Sequence, residues 1–147
     1  MASRATSHEP PATDCVFCAQ PGGRLIWQDD FARVVLAGDA DHPALCRVII
    51  NDHVKEMTDL EPAARDRLMR IVYEVEQVLR ALLEPEKVNL ASLGNMVPHL
   101  HWHIIPRFRD DPHFPNPVWG PRGSGNPRAL GAAFEPALAR ALRQRIG

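Results

Sequence analysis

Three histidines alternate with apolar residues in the seven-residue run from His99 to Ile105. In a β-strand, successive side chains point to opposite faces, so His99, His101 and His103 are predicted to share one face while the apolar residues between them face a core. Neutral imidazole is a competent nucleophile near pH 7, because its ordinary pKa is about 6.5. A flanking imidazole can contact a phosphate oxygen or protonate a leaving group.

Two other interpretations of this run are possible. A solvent-facing polar strand could be rich in histidine without a function, although three imidazoles in register opposite an apolar face make that unusual. A His-x-His pair could also bind zinc in a metal hydrolase, with a further ligand from elsewhere. Such sites usually include carboxylates, and the sequence has no Asp or Glu between Lys87 and Arg109. Nucleophilic catalysis is therefore the favoured interpretation.

The three cysteines, Cys15, Cys18 and Cys46, are an odd number in a chain whose first residues do not resemble a secretory signal, which argues against a disulfide framework. Cys15 and Cys18 form a Cys-x-x-Cys pair, which is typical of half a metal site, a redox pair or two small buried residues. Because Pro21, Gly22 and Gly23 follow at once, no helix is expected to start there, and the metal interpretation is favoured over the redox one. Cys46 lies in an apolar run and is predicted to be core.

The elements that position these residues can be predicted from periodicity. Five strands are expected over residues 24–28, 32–37, 46–50, 88–93 and 99–105, the first two forming a hairpin. One long helix is expected to start at a capping box from Thr58 to Glu61, with Pro62 in its first turn, and to end at Pro85. A short helix is expected over residues 129–146. The predicted class is α+β, with a five-stranded antiparallel sheet, one long helix and a C-terminal helix.

Composition sets broad limits. The 147 residues correspond to about one domain, and the net charge of −1 excludes a strongly basic nucleic-acid binder. No apolar run is long enough to span a membrane, and a cytoplasmic location is expected. We predict a flexible tail over residues 1–13, a folded domain over residues 14–108, and a C-terminal segment over residues 109–147 that begins Pro-rich and ends in the short helix.

Four segments together resemble one known family. The run HLHWHII matches the alternating histidine signature of the histidine-triad (HIT) superfamily of nucleotidyl hydrolases and transferases. The segment DCVFC at residues 14–18 resembles the N-terminal CxFC of bacterial members. The segment VIINDH at residues 48–53 is similar to their strand ending in Lys-x-His, and GNMVP at residues 94–98 to their Gly-Gln-x-Val. The resemblance covers residues 14–108.

The resemblance implies a mechanism. His101 would attack the α-phosphorus of a nucleotide and form a covalent nucleotidyl-histidine, His103 would contact the phosphate and assist the leaving group, and His99 would orient the site. Asn95 would hold the phosphate or leaving group. Asn89 resembles a family asparagine near the site, although a strand-end hydrogen-bonding role is also open. Because the uridylyltransferase branch has Gln at the position of His103, the resemblance favours a hydrolase.

The resemblance also implies substrates, a metal and a partner. The substrates would be purine nucleotides, namely dinucleoside polyphosphates such as diadenosine tetraphosphate or nucleoside phosphoramidates. A non-catalytic nucleotide-binding module and a zinc hydrolase with the histidines as ligands are the alternatives. A structural zinc would be held by Cys15, Cys18, His53 and His99, and the chain would form a homodimer by joining sheets edge to edge. No nucleic-acid or membrane partner is expected.

The sequence departs from the family at the ribose site, and its C-terminal segment is unusual. Many members have an Asp that binds the ribose hydroxyls and a Gly-His or Thr-His pair eight residues before Lys-x-His. Counting back from His53, the corresponding positions here are Ala37 and Leu45. Asp39 or Asp41 is a possible replacement for the Asp. By resemblance, Trp119 is expected at or near the dimer interface, where it and His113 would shape leaving-group preference. The alternative is that Trp119 covers the core of its own subunit.

Overall fold

The computed structural model describes residues 14–147, so the predicted tail at residues 1–13 lies outside it. Three α-helices and five strands make up the fold, together with a 3-10 turn at Met57–Asp59. In chain order they are α1 (Val16–Ala19), β1 (Arg24–Gln28), β2 (Ala32–Leu36), β3 (Cys46–Ile50), α2 (Pro62–Leu83), β4 (Lys87–Ala91), β5 (His101–Arg107) and α3 (Phe134–Ile146). The strands form one antiparallel sheet in the order β1-β2-β3-β5-β4, which confirms the predicted α+β class.

The predicted hairpin of β1 and β2 is present and is closed by Asp29. The Asp29 carboxylate accepts hydrogen bonds from the backbone N–H groups of Phe31 and Ala32 at 2.8 and 2.9 Å. This side chain therefore satisfies backbone donors in the turn that the strands leave unpaired. Every residue of β2 is buried, since it is covered on both faces of the sheet.

Helix α2 covers one face of the sheet with the apolar stripe that its sequence predicted. The stripe recurs every three or four residues, which places it along one side of the helix. Its buried members are Leu68, Ile71, Val72, Val75, Val78 and Leu79. Helix α3 joins it in the same core through Phe134, Leu138 and Leu142. The opposite face of the sheet carries His101 and His103, because Trp102 and Ile104, which alternate with them, pack in this core.

The expected capping box at Thr58 was wrong. Residues 57–59 instead form the 3-10 turn, which has its own reciprocal cap between Glu56 and Asp59. Helix α2 begins after it, with Glu61 as the N-cap residue and Pro62 at the first helical position, where the missing proline N–H costs no hydrogen bond. The helix ends at Leu83, immediately before the predicted stop at Pro85.

Two further helix predictions were wrong. A short helix is present at the cysteine pair, where none was expected, and the last helix starts later than predicted. The single turn α1 forms between Cys15 and Gln20 and ends before Pro21. Helix α3 starts at Phe134 rather than at residue 129, because Gly131 has a φ of +81°, a left-handed conformation that a right-handed helix cannot include.

Strands β4 and β5 are shifted from the predicted ranges. β4 covers Lys87–Ala91, and β5 begins at His101, not at His99. The chain just before β5 pairs elsewhere: the Leu100 N–H donates to the Val54 carbonyl at 2.7 Å. β5 continues through Pro106, although proline has no backbone N–H to donate. The pairing of β3 with β5 ends at Ile104, so no hydrogen bond to β3 requires a donor at Pro106. His99 therefore precedes the strand.

No helix among residues 14–147 is long and apolar enough to cross a membrane.

Candidate active site and metal-ligand cluster

His101 lies at the start of β5, on the sheet face opposite the helices. Its ring is 6% exposed, and Nδ1 lies 2.6 Å from the His99 carbonyl oxygen. A carbonyl can only accept, so Nδ1 carries the proton and Nε2 keeps its lone pair. Burial is the main cause of a lowered pKa at His101, with a further contribution from the charge of Arg47, so the ring is neutral at pH 7. The backbone contact thus leaves the Nε2 lone pair unprotonated.

His103 is the second site histidine on β5. Its ring packs edge-on against the ring of His101, with 5.0 Å between centroids. Burial, the nearby His101 and the charge of Arg47 lower its pKa to about 4. Its Nδ1 is buried and has no hydrogen-bond partner among the described residues. The lowered pKa keeps the ring neutral at pH 7, so this buried nitrogen leaves no unpaired charge.

Trp119 packs against His103 within the same chain. The ring centroids lie 5.2 Å apart in an edge-on arrangement, and Trp119 is 56% exposed. Trp119 therefore borders the site of its own subunit and does not cover the core. Its expected place at a dimer interface stays a prediction.

A groove of about 710 Å³ runs beside this tryptophan along β4 and β5. Asn89 and Ala91 contribute the β4 wall, and Phe114 and Trp119 the opposite one. His103 does not line the groove, but Trp119, which does, packs against the His103 ring. It is large enough for a nucleotide-sized ligand.

The four predicted metal ligands converge into one cluster. The ligand atoms of Cys15, Cys18, His53 and His99 all lie within 4.8 Å of one another. Nδ1 of His99 is 3.4 Å from the sulfur of Cys15 and 3.3 Å from Nδ1 of His53. Tetrahedral zinc with its usual bond lengths would separate a sulfur and a nitrogen by about 3.6 Å and two nitrogens by about 3.4 Å. The donor set and spacing therefore fit zinc.

His99 belongs to this cluster and also supports His101. Its Nε2 lies 2.6 Å from the Ile50 carbonyl, which assigns the proton to Nε2 and leaves Nδ1 facing the cluster. With both nitrogens engaged, the ring has none for a substrate. The His99 carbonyl accepts the hydrogen bond from Nδ1 of His101, so His99 orients the His101 ring through its backbone.

The two candidate asparagines differ in their surroundings. Asn89 lies on β4, lines the groove and accepts a hydrogen bond from Nη1 of Arg107 at 2.9 Å. Asn95 is exposed in the connection between β4 and β5, and its side chain makes no hydrogen bond to residues 14–147. Asn95 is thus free to meet a ligand, whereas Asn89 is already held. Neither Asp39 nor Asp41 makes a hydrogen bond to His101 or His103. The Asp39 carboxylate caps its own loop by accepting from the backbone N–H groups of Asp41 and His42.

The C-terminal segment is anchored by a buried ion pair that the sequence analysis missed. The guanidinium of Arg107 donates to the Asp111 carboxylate at 2.8 and 3.1 Å, and both side chains are almost fully buried. Burial alone would raise the pKa of Asp111, but hydrogen bonds from Arg107 and from three backbone N–H groups hold that pKa well below its usual range. The pair fixes the turn from which the segment carrying Trp119 departs.

Arg47 on β3 was also missed as a site residue. It pairs with His103 across the sheet, and its charge contributes to the lowered pKa of both site histidines. A charged residue within the apolar run from Cys46 to Ile50 was the available signal. Only the strand pairing identifies the residues that it faces.

We expect Asp111→Ala to lower the free energy of unfolding by about 3–5 kcal/mol, because it leaves the buried Arg107 charge uncompensated. Asp110→Ala is the matched control: its side chain is 80% exposed, so a change within about 0.5 kcal/mol is expected. Urea unfolding of both variants measures the difference, and equal effects would contradict the anchoring role.

The same ion pair predicts a pH dependence. Because the pKa of Asp111 is lower in the folded chain than in the unfolded chain, its stabilisation is complete above about pH 4 and is lost as pH falls below that value. Asp111→Asn should therefore show a weaker loss of stability between pH 5 and pH 2 than the wild type, since it has no carboxylate to protonate.

The chain resembles several known histidine triad proteins. A solved histidine triad protein from Bradyrhizobium japonicum is 30% identical with a TM-score of 0.69, over 86% of this chain and 92% of that one. Another from Marinobacter aquaeolei is 27% identical with a TM-score of 0.72, over 88% and 94%. A zinc-bound histidine triad family protein from Mycobacterium smegmatis is 20% identical with a TM-score of 0.62, over 89% and 94%.

A sequence relative and a family model agree with these structures. An uncharacterized HIT-like protein from Borreliella burgdorferi is 23% identical over an alignment of 109 residues, and the match covers 67% of this chain and 78% of the relative. The model of the HIT domain matches residues 20–110, which include the site histidines, His53 and both asparagines. With this match over more than half of its length and with the fold described above, the chain belongs to the HIT domain family.

Proposed function

We propose that this protein is a nucleotide hydrolase that acts at the α-phosphate through a covalent nucleotidyl-His101 intermediate. The observation that carries the proposal is the 2.6 Å contact from Nδ1 of His101 to the His99 carbonyl. It holds one tautomer and one ring orientation, which a nucleophilic imidazole needs. The substrates are purine nucleotides, either dinucleoside polyphosphates or nucleoside phosphoramidates.

The chemistry proceeds in two displacements. Nε2 of His101 donates its lone pair to the α-phosphorus, an N–P bond forms, and the bond to the leaving group breaks with its electron pair on the leaving atom. The imidazole becomes cationic as it is phosphorylated, and the His99 carbonyl stabilises that charge through the Nδ1 proton. Water then attacks the phosphorus and releases a proton to the solvent, and the N–P bond breaks with its electron pair returning to Nε2. A nucleoside monophosphate leaves, and neutral His101 is restored.

The neighbouring residues have supporting roles. His103, buried beside the nucleophile, contacts the phosphate and the leaving group. Asn95, exposed in the β4–β5 connection, closes on the phosphate or leaving group, and Asn89 lines the groove. His103 stands where transferase relatives have Gln, and this supports hydrolysis by water over transfer to a second nucleotide.

The alternative functions have less support. In a zinc hydrolase, His101 and His103 would belong to a ligand cluster. Within residues 14–147 the one group of metal-ligating side chains found is Cys15, Cys18, His53 and His99, and it includes neither. A binding module without turnover would not need a fixed His101 tautomer.

We further propose that the cluster holds a structural zinc. Two thiolates and two imidazoles supply four ligands, so no coordination position remains for a substrate. The zinc-bound Mycobacterium smegmatis relative supports this assignment. When bound, the ion would tie the segment carrying α1 to the chain just before β5. The other three side chains would then hold His99 in place, and the His99 carbonyl would hold His101.

We also propose a homodimer formed along β4. This strand is at the edge of the sheet, so one side of its backbone has no partner strand among the described residues. Exposed edges invite pairing with another strand. Apolar side chains of the C-terminal segment, including Phe114 and Trp119, flank this edge in the groove. The second copy would extend the sheet.

We expect His101→Ala to abolish turnover of diadenosine tetraphosphate and adenosine phosphoramidate while nucleotide binding is kept within about threefold, because only the chemical step needs the nucleophile. Acid-quenched wild-type reactions should carry a nucleotidyl adduct on the His101 peptide in mass spectrometry. Near-normal turnover by the variant would contradict the assignment. A wild type that binds nucleotide and turns over neither substrate would favour the binding module.

We expect untreated protein to contain about one zinc per chain. Cys18→Ser should lower the zinc content below about a tenth of that value, because one of four ligands is lost. Cys46→Ala is the control: Cys46 is fully buried away from the cluster, and burial raises its thiol pKa to about 12. Elemental analysis with thiol titration decides. Metal-free wild type with Cys15 and Cys18 titratable would contradict the proposal.

We expect sedimentation equilibrium to give the mass of two 16.4 kDa chains. Trp119→Ala should weaken the dimer by about tenfold or more, as loss of a central interface tryptophan does. Met96→Ala, which removes another exposed apolar side chain, is the control and should have no effect. A monomer at all concentrations contradicts the dimer, and an unchanged dimer in Trp119→Ala contradicts the placement of Trp119.

A further inference from the structure

Arg47 places a guanidinium on the same sheet face as the site histidines. Its neighbours on β3, Cys46 and Val48, are fully buried in the helix-covered core, so Arg47 points to the other side. There it is paired directly with His103, with which it therefore shares a face. Its guanidinium also lies over the ring of Phe17, with Cζ 5.5 Å from the centroid, and Phe17 itself packs on His101 at 4.8 Å.

The hydrogen bonding of Arg47 is incomplete. Nη1 donates to the Gly22 carbonyl at 2.6 Å, but Nε is buried and has no partner among the described residues. Nδ1 of His103 is in the same condition. Only these two buried side-chain atoms of the described chain lack a partner, and they belong to directly paired residues. Leaving such a group unpaired is costly, and more so when it is charged. Nη2 of Arg47 also has no partner among the described residues but is not fully enclosed, so its N–H groups can donate to a bound anion.

Arg33, one strand away, shows what a structural arginine looks like here. Its guanidinium donates to the carbonyls of Phe17, Gln20 and Pro21 and to the side chain of Asn51. Arg47 has a single carbonyl partner by comparison. Burial lowers the pKa of Arg47, and the charge of Asp39 opposes this without a hydrogen bond between them. Among residues 14–147, no carboxylate therefore pairs with the positive charge beside the two histidines.

We propose that Arg47 binds the anionic phosphates of the substrate and selects substrates whose leaving group is a phosphate over those whose leaving group is an amine. This rests on the proposed function. When His101 forms its N–P bond and the P–O bond breaks, the electron pair goes to the bridging oxygen of a phosphate, which leaves as an anion. A fixed guanidinium stabilises that developing charge. An amine must take up a proton as it leaves and carries no negative charge for the guanidinium to stabilise.

The test compares two substrates that share adenosine and the reacting phosphorus: diadenosine tetraphosphate and adenosine 5′-phosphoramidate. We expect Arg47→Gln to lower kcat/KM about 100-fold for the tetraphosphate, by analogy with the loss of a charge-stabilising donor, and less than about threefold for the phosphoramidate. Arg47→Lys keeps the charge but not the planar fork, so it should lose about tenfold on the tetraphosphate alone. Arg70→Gln, an exposed site on α2, is the charge-matched control and should not change either value.

Equal losses on both substrates, or no loss, would overturn the proposal. If Arg47→Gln fails to fold, as judged by thermal unfolding, Arg47→Lys alone decides by the same comparison.

Calorimetric binding of inorganic tripolyphosphate separates this proposal from the catalytic one. If the wild type hydrolyses neither substrate, the proposed function fails. Binding weakened tenfold or more in Arg47→Gln but not in Arg70→Gln then still supports the phosphate site, and equal binding overturns it.

Discussion

The hydrogen bond from Nδ1 of His101 to the His99 carbonyl is the constraint on which the site depends. It sets the tautomer of the reactive ring, and it can form only if the chain before β5 leaves the strand ladder. That departure is made by Leu100, which pairs with Val54, and by the His99 ring, which turns toward Ile50 and the cysteines. One residue therefore connects the metal-ligand cluster to the proposed nucleophile.

The two faces of the sheet divide stability from function. The face under α2 and α3 is an apolar core, and close packing there holds the strands in register. The other face carries only a small apolar cluster around Phe17 and Ile49, with the site histidines and two arginines beside it. Buried imidazoles on that face stay neutral because desolvation disfavours their charged form. The same burial that costs stability thus prepares the chemistry.

The C-terminal segment completes the site without regular structure. Arg107 and Asp111 pin its beginning, and a contact of 3.0 Å between ring nitrogens of His42 and His113 ties it to the loop after β2. Trp119 then reaches back to His103. A Pro-rich coil can be held this firmly because these side-chain contacts add to the backbone hydrogen bonds of its turns.

Local patterns were sufficient for much of this fold. Short runs of strand-forming residues predicted the β1–β2 hairpin and β3, and the three-to-four-residue stripe predicted α2. The resemblance to the HIT family predicted the four residues that converge in the cluster. Such patterns work because burial imposes the period of each element on its own sequence. Strand ends and caps were predicted less well, since the start of β5 depends on Leu100 pairing with a segment almost fifty residues earlier. The surroundings of His103 needed the tertiary structure most. Arg47 and Trp119 lie 56 and 16 residues from it in sequence, and only the pairing of β3 with β5 and the path of the anchored coil bring them together.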